Sequence, residues 1–148
     1  MSNETFQQVV MEVMERFAFM FGEESDAPAP DANGDYLHAS ISFQSETAKG
    51  ELRLTVPLSL GTDIAANVLG VDPSEATPAI GEDAVKELLN IICGDLTARM
   101  FGKAEVFRLT VPTLTRLDTK QWKACSEAEG TFRLLVEGRP VLASLAVK

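Results

Sequence analysis

Apolar residues recur at helical spacing in two long stretches of the chain. In residues 5–21 they fall on one broad face, which comprises Phe6, Val9, Val10, Val13, Met14, Phe17 and Met20. In residues 83–101 they form a continuous stripe of Val85, Leu88, Leu89, Ile92, Leu96 and Met100. Gly22 and Gly102 follow directly and are natural helix stops. The pattern therefore predicts two long helices, each with one buried face.

Alternation of apolar and polar residues predicts β-strands in much of the remainder. Residues 36–58 have the pattern of a hairpin with its turn at residues 48–50. His38 falls on the polar side of the first strand, and we expect it to be solvated. Further strand candidates are residues 106–117, 120–128, 131–138 and 140–148. The last of them is a candidate edge strand that could pair with a second subunit.

The segments between these elements are shorter. Residues 60–70 are predicted to form a helix that Thr62 or Asp63 caps and Gly70 ends. Residues 22–35 and 71–83 read as loops, and the first of them is acidic, rich in Pro, Ala and Gly, and expected to be exposed. The resulting order predicts an α+β fold, with long helices packed on a mostly antiparallel sheet, in one domain spanning residues 1–148.

Composition excludes several classes of function. The formal net charge is −9, which disfavours nucleic acid and an anionic membrane surface as partners. No apolar run approaches the roughly 18 residues of a membrane span, and the N-terminus carries acidic residues that a secretory signal lacks, so we expect a cytoplasmic protein. Cys93 and Cys125 lie far apart with His38 as the single histidine. We interpret them as buried reduced thiols and predict no metal site.

The second long helix carries the candidate chemistry. Asn90 interrupts its apolar run, although an asparagine amide competes for backbone hydrogen bonds inside a helix. Glu87 lies three residues earlier, about 60° away in projection and ~4.5 Å along the axis, so both side chains can reach the same object. Asp83, Gly94 and Ala98 share this face. Gly94 costs about 1 kcal/mol relative to alanine, which suggests that something approaches the backbone there closely.

The spacing alone leaves other interpretations open. The pair can equally be part of a solvated helix face, and Asp83 can simply favour the positive end of the helix dipole. A metal site built from Asp83 and Glu87 would lack further ligands nearby.

The segment DAVKELLNIICGDL resembles the active helix of the CheC/CheX/FliY family of chemotaxis phosphatases. Asp83, Glu87 and Asn90 match the family's pattern in register, Gly94 occupies its small position, and Pro112 lies within a residue of the family's downstream proline. The order of elements also agrees over nearly the whole chain. The resemblance therefore implies a CheC-like fold with a helix–hairpin pseudo-repeat.

One departure from the family indicates the subtype. Some CheC-like members carry a second Glu/Asn site on the first helix. Here that helix offers Glu12 and Glu15 but no asparagine, so the chain is most similar to single-site, CheX-like proteins.

The resemblance also implies an activity. The family's substrate is the phospho-aspartate of a CheY-like response-regulator receiver. Asn90 would position the attacking water, and Glu87 would pair with the receiver's active-site lysine. Asp83, Gly94 and Ala98 would help the receiver to dock. Mg²⁺ is expected on the receiver, and this chain is expected to need no cofactor of its own.

Alternatives remain open at this point. A non-catalytic receiver-binding module would have the same fold. A flagellar-switch component and an unrelated small-molecule enzyme are further possibilities, and both a monomer and a homodimer are compatible with the sequence.

Overall fold

A computed structural model describes residues 3–147. Its helices are α1 (Asn3–Ala18), α2 (Leu58–Leu69), α3 (Pro78–Phe101) and α4 (Thr119–Glu127). Its strands are β1 (Gly22–Glu24), β2 (Tyr36–Gln44), β3 (Lys49–Pro57), β4 (Arg108–Leu109), β5 (Thr113–Leu117), β6 (Thr131–Val136) and β7 (Arg139–Val147). A single 3₁₀ turn over Pro73–Glu75 precedes α3 within this described range.

The strands form one antiparallel sheet in the order β1-β6-β7-β3-β2, and both β4 and β5 pair with the outer edge of β2. The predicted α+β fold is confirmed. The prediction that the last strand lies at an edge is wrong, because β7 pairs with β3 on one side and with β6 on the other. The strand therefore lies inside the sheet, and Leu142–Ser144 are paired on both sides.

Three helices cover one face of the sheet and one covers part of the other. The main core lies beneath α1, α2 and α3, where the apolar positions of β2 and β3 meet the buried faces of those helices. Its largest fully buried strand side chains are Phe43, Leu37, Ile41, Leu52 and Leu54. On the opposite face, α4 packs through Trp122 onto Tyr36 and Leu142. Most of that second face stays open.

The helix that carries the candidate site is longer than predicted. It begins at Pro78, because Thr77 caps it by accepting a hydrogen bond from the Ile80 N–H at 3.3 Å and proline suits the first helical position. The prediction of a loop over residues 71–83 is therefore wrong from residue 78 onward. Gly102 ends the helix as predicted.

The strand predicted over residues 120–128 is wrong, because this segment is α4. Asp118 and Gln121 form a reciprocal capping box, with each side chain accepting a hydrogen bond from the other residue's backbone N–H. The capping box and the three-residue spacing of Trp122 and Cys125 favour a helix more strongly than the alternation of apolar and polar residues favours a strand.

Three smaller boundaries also differ. The hairpin turn spans residues 45–48, closed by a 2.8 Å hydrogen bond from the Ser45 N–H to the Ala48 carbonyl, so Gly50 lies within β3. The first helix ends at Ala18, and Phe19 adopts a left-handed conformation with φ of 55°. The predicted exposed loop after it contains β1, which pairs with β6.

The predicted start of α2 is also wrong, and its predicted end is confirmed. The helix begins directly after Pro57, so Thr62 and Asp63 lie inside it and cap nothing at its N-terminus. Gly70 closes it in the left-handed conformation, with φ of 68°.

Candidate functional site

The predicted face of α3 points away from the core. Asp83, Glu87 and Gly94 are exposed, and Asn90 and Ala98 are half-buried. The other side of the helix is buried, through Ala84, Val85, Leu88, Leu89, Ile92, Cys93 and Leu96. The structure thus brings all five predicted residues to one surface of a helix whose orientation the core fixes.

Ion pairs hold α3 at both ends. Near its N-terminus, Arg116 of β5 lies 3.2 Å from a Glu82 oxygen and 3.4 Å from an Asp35 oxygen. Near its C-terminus, Arg99 pairs with Asp95 at 3.2 Å and with Glu12 of α1. The exposed face between these anchors therefore belongs to a rigid element, as a precise site requires.

Neither Glu87 nor Asn90 is engaged by the protein's own fold. Within residues 3–147, neither side chain forms a hydrogen bond or an ion pair. Asp83 forms a single long ion pair, with Lys86 at 3.7 Å. A carboxylate and an amide one helical turn apart are thus free to contact a group outside the molecule.

Gly94 has no structural reason to be glycine. A Cβ atom built on it would meet nothing within 4 Å, so no other element of the described chain approaches the helix there. The close approach that this glycine suggested is therefore not made by the protein's own sheet. Beside it lies an open groove of about 420 Å³, whose walls include Ala98 of α3 and Leu109 of β4.

The first helix offers no comparable pair. Glu12 is engaged with Arg99, whose hydrogen bond lowers the pKa of the Glu12 carboxyl. Its side chain therefore joins α1 to α3 and is not available as a second copy of the Glu87 function. This supports the single-site interpretation of the sequence.

Other candidate chemistry is weak. Among the described residues, no group of three or more His, Cys, Asp and Glu residues could hold a metal ion. Both cysteines are free, and burial raises the pKa of Cys93 to about 12, which makes it a poor nucleophile. A wide groove of about 450 Å³ lies on the open face of the sheet, and its walls include Gln44, Lys49 and Arg108.

His38 is more enclosed than predicted. It is half-buried, its Nδ1 lies 2.7 Å from the Thr55 hydroxyl, and with Cys125 it lines a cavity of about 50 Å³. Burial lowers its pKa below the usual 6.5. The alternation placed it correctly on the polar side of β2, but α4 covers part of that side.

No helix in the described range is long and apolar enough to cross a membrane.

Comparison with known proteins agrees with the fold and with the family resemblance of the sequence. Residues 37–132 match the family model described as chemotaxis phosphatase CheX. No curated protein sequence matches the chain.

Similar solved structures cover almost the whole chain. Chemotaxis protein CheX from Vibrio vulnificus has a TM-score of 0.72 and 17% identity, covering 98% of this chain and 95% of that one. A CheC-like superfamily protein from Shewanella sp. PV-4 has the same score and identity, with 99% and 96% covered. A CheX–CheY–BeF₃–Mg²⁺ complex from Borrelia burgdorferi has a TM-score of 0.67 and 14% identity, with 99% and 97% covered. At these identities the similarity shows the fold.

Proposed function

Because the chain belongs to the CheX family of chemotaxis phosphatases, we propose that it accelerates hydrolysis of the phospho-aspartate of a CheY-type receiver domain. The observation that carries this proposal is the Glu87–Asn90 pair on the outer face of α3, where Glu87 is exposed, Asn90 is half-buried and neither side chain has a partner within residues 3–147. The family match and the fold shared with CheX in the CheX–CheY complex support it.

The proposed reaction needs little from the enzyme beyond positioning. An acyl phosphate is already activated, and phosphoryl transfer passes through a loose transition state. The water oxygen bonds to phosphorus as the bond from phosphorus to the aspartate oxygen breaks. The aspartate leaves as a carboxylate, and both protons of the water leave with the released phosphate. Catalysis then consists of holding one water in line with the breaking bond.

Asn90 is suited to hold that water. Its amide has a carbonyl that accepts a hydrogen bond and an NH₂ group that donates one, so it can fix the position of a water without removing its proton. The buried side of α3 fixes the backbone from which the amide extends. We assign Asn90 a positioning role comparable to that of the glutamine in small GTPases.

Glu87 would serve as an anchor. A carboxylate beside a phosphoryl group is repulsive unless it meets a cation, and the receiver's active-site lysine would be that cation. Such a charge-assisted hydrogen bond would fix the docked register. Mg²⁺ would be bound by the receiver, and none of the steps assigned to this chain's residues requires a metal or cofactor of its own.

The test is the decay of a phosphorylated receiver from the same organism, with and without this protein. We expect Asn90→Ala to lower the accelerated rate about a hundredfold, because the water loses its fixed position. Glu87→Gln, which keeps the shape and removes the charge, should lower it about tenfold or more through weaker docking. Asn33→Ala, which removes an exposed amide from a loop, is the matched control and should change nothing.

A different result would favour the alternative function. If wild type binds the receiver and does not accelerate its decay, the protein is a receiver-binding module that does not hydrolyse the phospho-aspartate. If wild type accelerates decay and Asn90→Ala accelerates it equally, Asn90 does not position the water.

A further inference from the structure

The connection between β4 and β5 contains a β-bulge, where this edge has one residue more than β2 opposite it. Leu109 pairs with Phe43 and Thr113 pairs with Ser40, so two residues of β2 face the three residues 110–112. The Thr110 N–H donates to the Ser42 carbonyl at 2.9 Å, and the Ser42 N–H donates to the Thr110 hydroxyl at 2.9 Å instead of a backbone carbonyl. The extra residue therefore lies at Val111–Pro112, opposite Ile41.

The bulge turns both of its residues toward the helix side of the sheet. Thr110 lines the groove on the open face, and Thr113 makes a 3.1 Å hydroxyl contact with Ser40 on that same face. Val111 and Pro112 lie between these two positions, and in a bulge such residues point to the opposite side of the sheet. That side is the helix side, where Ile41 belongs to the core. Pro112 is half-buried there, and 85% of Val111 is exposed. The protein thus presents a β-branched apolar side chain to solvent on its helix-bearing side.

One ion pair and one shared groove lie on either side of this bulge, and the spacing along both elements locates the bulge beside Asn90. Glu82 of α3 meets Arg116 of β5, and farther along the helix Gly94 and Ala98 line one groove with Leu109 of β4. The helix and the strand edge therefore run side by side in opposite directions. Asn90 lies about 12 Å along the helix from Glu82. About 12 Å along the strand from Arg116 is three to four residues, which reaches Pro112.

We propose that Val111, held outward by the bulge, forms the apolar part of the surface that docks the receiver, beside the polar Glu87–Asn90 pair. This inference rests on the proposed function for the identity of the partner. Farther along α3, Gly94 and Ala98 keep the surface low, and a Cβ at Gly94 would meet nothing within 4 Å. The receiver surface that would match this site has an apolar side chain next to the phosphorylated aspartate and the active-site lysine.

The experiment compares two exposed valines on either side of β4. Val111 and Val106 are 85% and 82% exposed, and Val106 does not line the groove beside α3. We expect Val111→Ser to weaken binding to a CheY-type receiver loaded with Mg²⁺ and beryllofluoride about tenfold, because a desolvated valine contributes about that factor. Val106→Ser should change the Kd less than twofold. Val111→Ile, which keeps the apolar contact, should retain the affinity.

The kinetic readout separates docking from chemistry. Val111→Ser should raise KM by the same factor and leave kcat unchanged, whereas Asn90→Ala should lower kcat. Equal losses from Val106→Ser and Val111→Ser, or no loss from Val111→Ser in an active phosphatase, would overturn the docking role and leave the proposed function standing. Val111-dependent binding without faster decay would support the docking role and overturn the phosphatase activity. Failure of wild type to bind the organism's receivers would overturn both.

Discussion

At the scale of single residues, Asn90 and His38 are two polar side chains beside the apolar core that have opposite surroundings. Asn90 has no partner in the described fold, and it is held on the surface of α3. His38 is enclosed between β3 and the end of α4, where the Thr55 hydroxyl meets its ring at 2.7 Å. The Asn90 amide is therefore available to a partner, whereas the protonation of the His38 ring affects the stability of the fold.

The enclosure of His38 predicts a pH dependence of stability. Burial, with Arg53 nearby, lowers the folded-state pKa below the usual 6.5, so the unfolded chain takes up a proton that the native chain does not. The free energy of unfolding should therefore be constant above pH 6.5, fall as the pH drops below it, and level off below the folded-state pKa. Urea denaturation above and below pH 6.5 measures this change in the free energy of unfolding.

The control for this prediction is His38→Gln, which keeps a polar group beside Thr55 and cannot titrate. Its free energy of unfolding should lack the decrease just below pH 6.5. Equal slopes for the variant and the wild type in that window would assign the acid sensitivity to another group.

At the scale of the elements, Gly50 and Gly94 have opposite roles. A Cβ on Gly50 of β3 would overlap the Phe43 ring and approach the Ala146 carbonyl oxygen to 2.7 Å. We expect Gly50→Ala to destabilise the protein by about 1 to 3 kcal/mol through overpacking. Gly94→Ala should instead stabilise it by up to about 1 kcal/mol, because alanine is the better helix former and the space is open.

Thermal or urea unfolding of the two variants distinguishes these roles. A similar loss for both would mean that Gly94 also serves the fold. Stabilisation by Gly94→Ala together with weaker receiver binding would fit the proposed docking surface, because the same methyl group that favours the helix would stand between it and the receiver.

Elements with strong local signals could be predicted from the sequence. The middle of α3 carries a regular apolar stripe, so the face that holds Glu87, Asn90 and Gly94 was assigned correctly. The start of α3 was missed although Thr77 and Pro78 form a recognisable cap. The bulge at Val111–Pro112 could not be predicted, because it exists only relative to the register of β2, from which it is distant in the chain.

At the scale of the whole molecule, the two faces of the sheet are covered unequally. Three helices bury a large core on one face, whereas α4 on the other buries a cluster of Tyr36, Trp122 and Leu142. Trp122 stacks on Tyr36 with a centroid distance of 5.5 Å, and its Nε1 finds no hydrogen-bond partner among the described residues. An unpaired buried donor in so small a cluster weakens the attachment of α4.

This asymmetry predicts that α4 opens separately from the main core. Its amide hydrogens should exchange through a local opening with little dependence on denaturant, whereas those of β3 and α3 should require global unfolding. Trp122→Ala should speed exchange in α4 strongly and in α3 much less. Removing a buried tryptophan can cost about 3 to 5 kcal/mol. Here the loss of global unfolding free energy is limited to what the packing of α4 on the sheet contributes, because α4 can detach while the main core stays folded. Hydrogen exchange followed by mass spectrometry measures both effects, and a uniform increase in α3, β3 and α4 would instead show one cooperative unit.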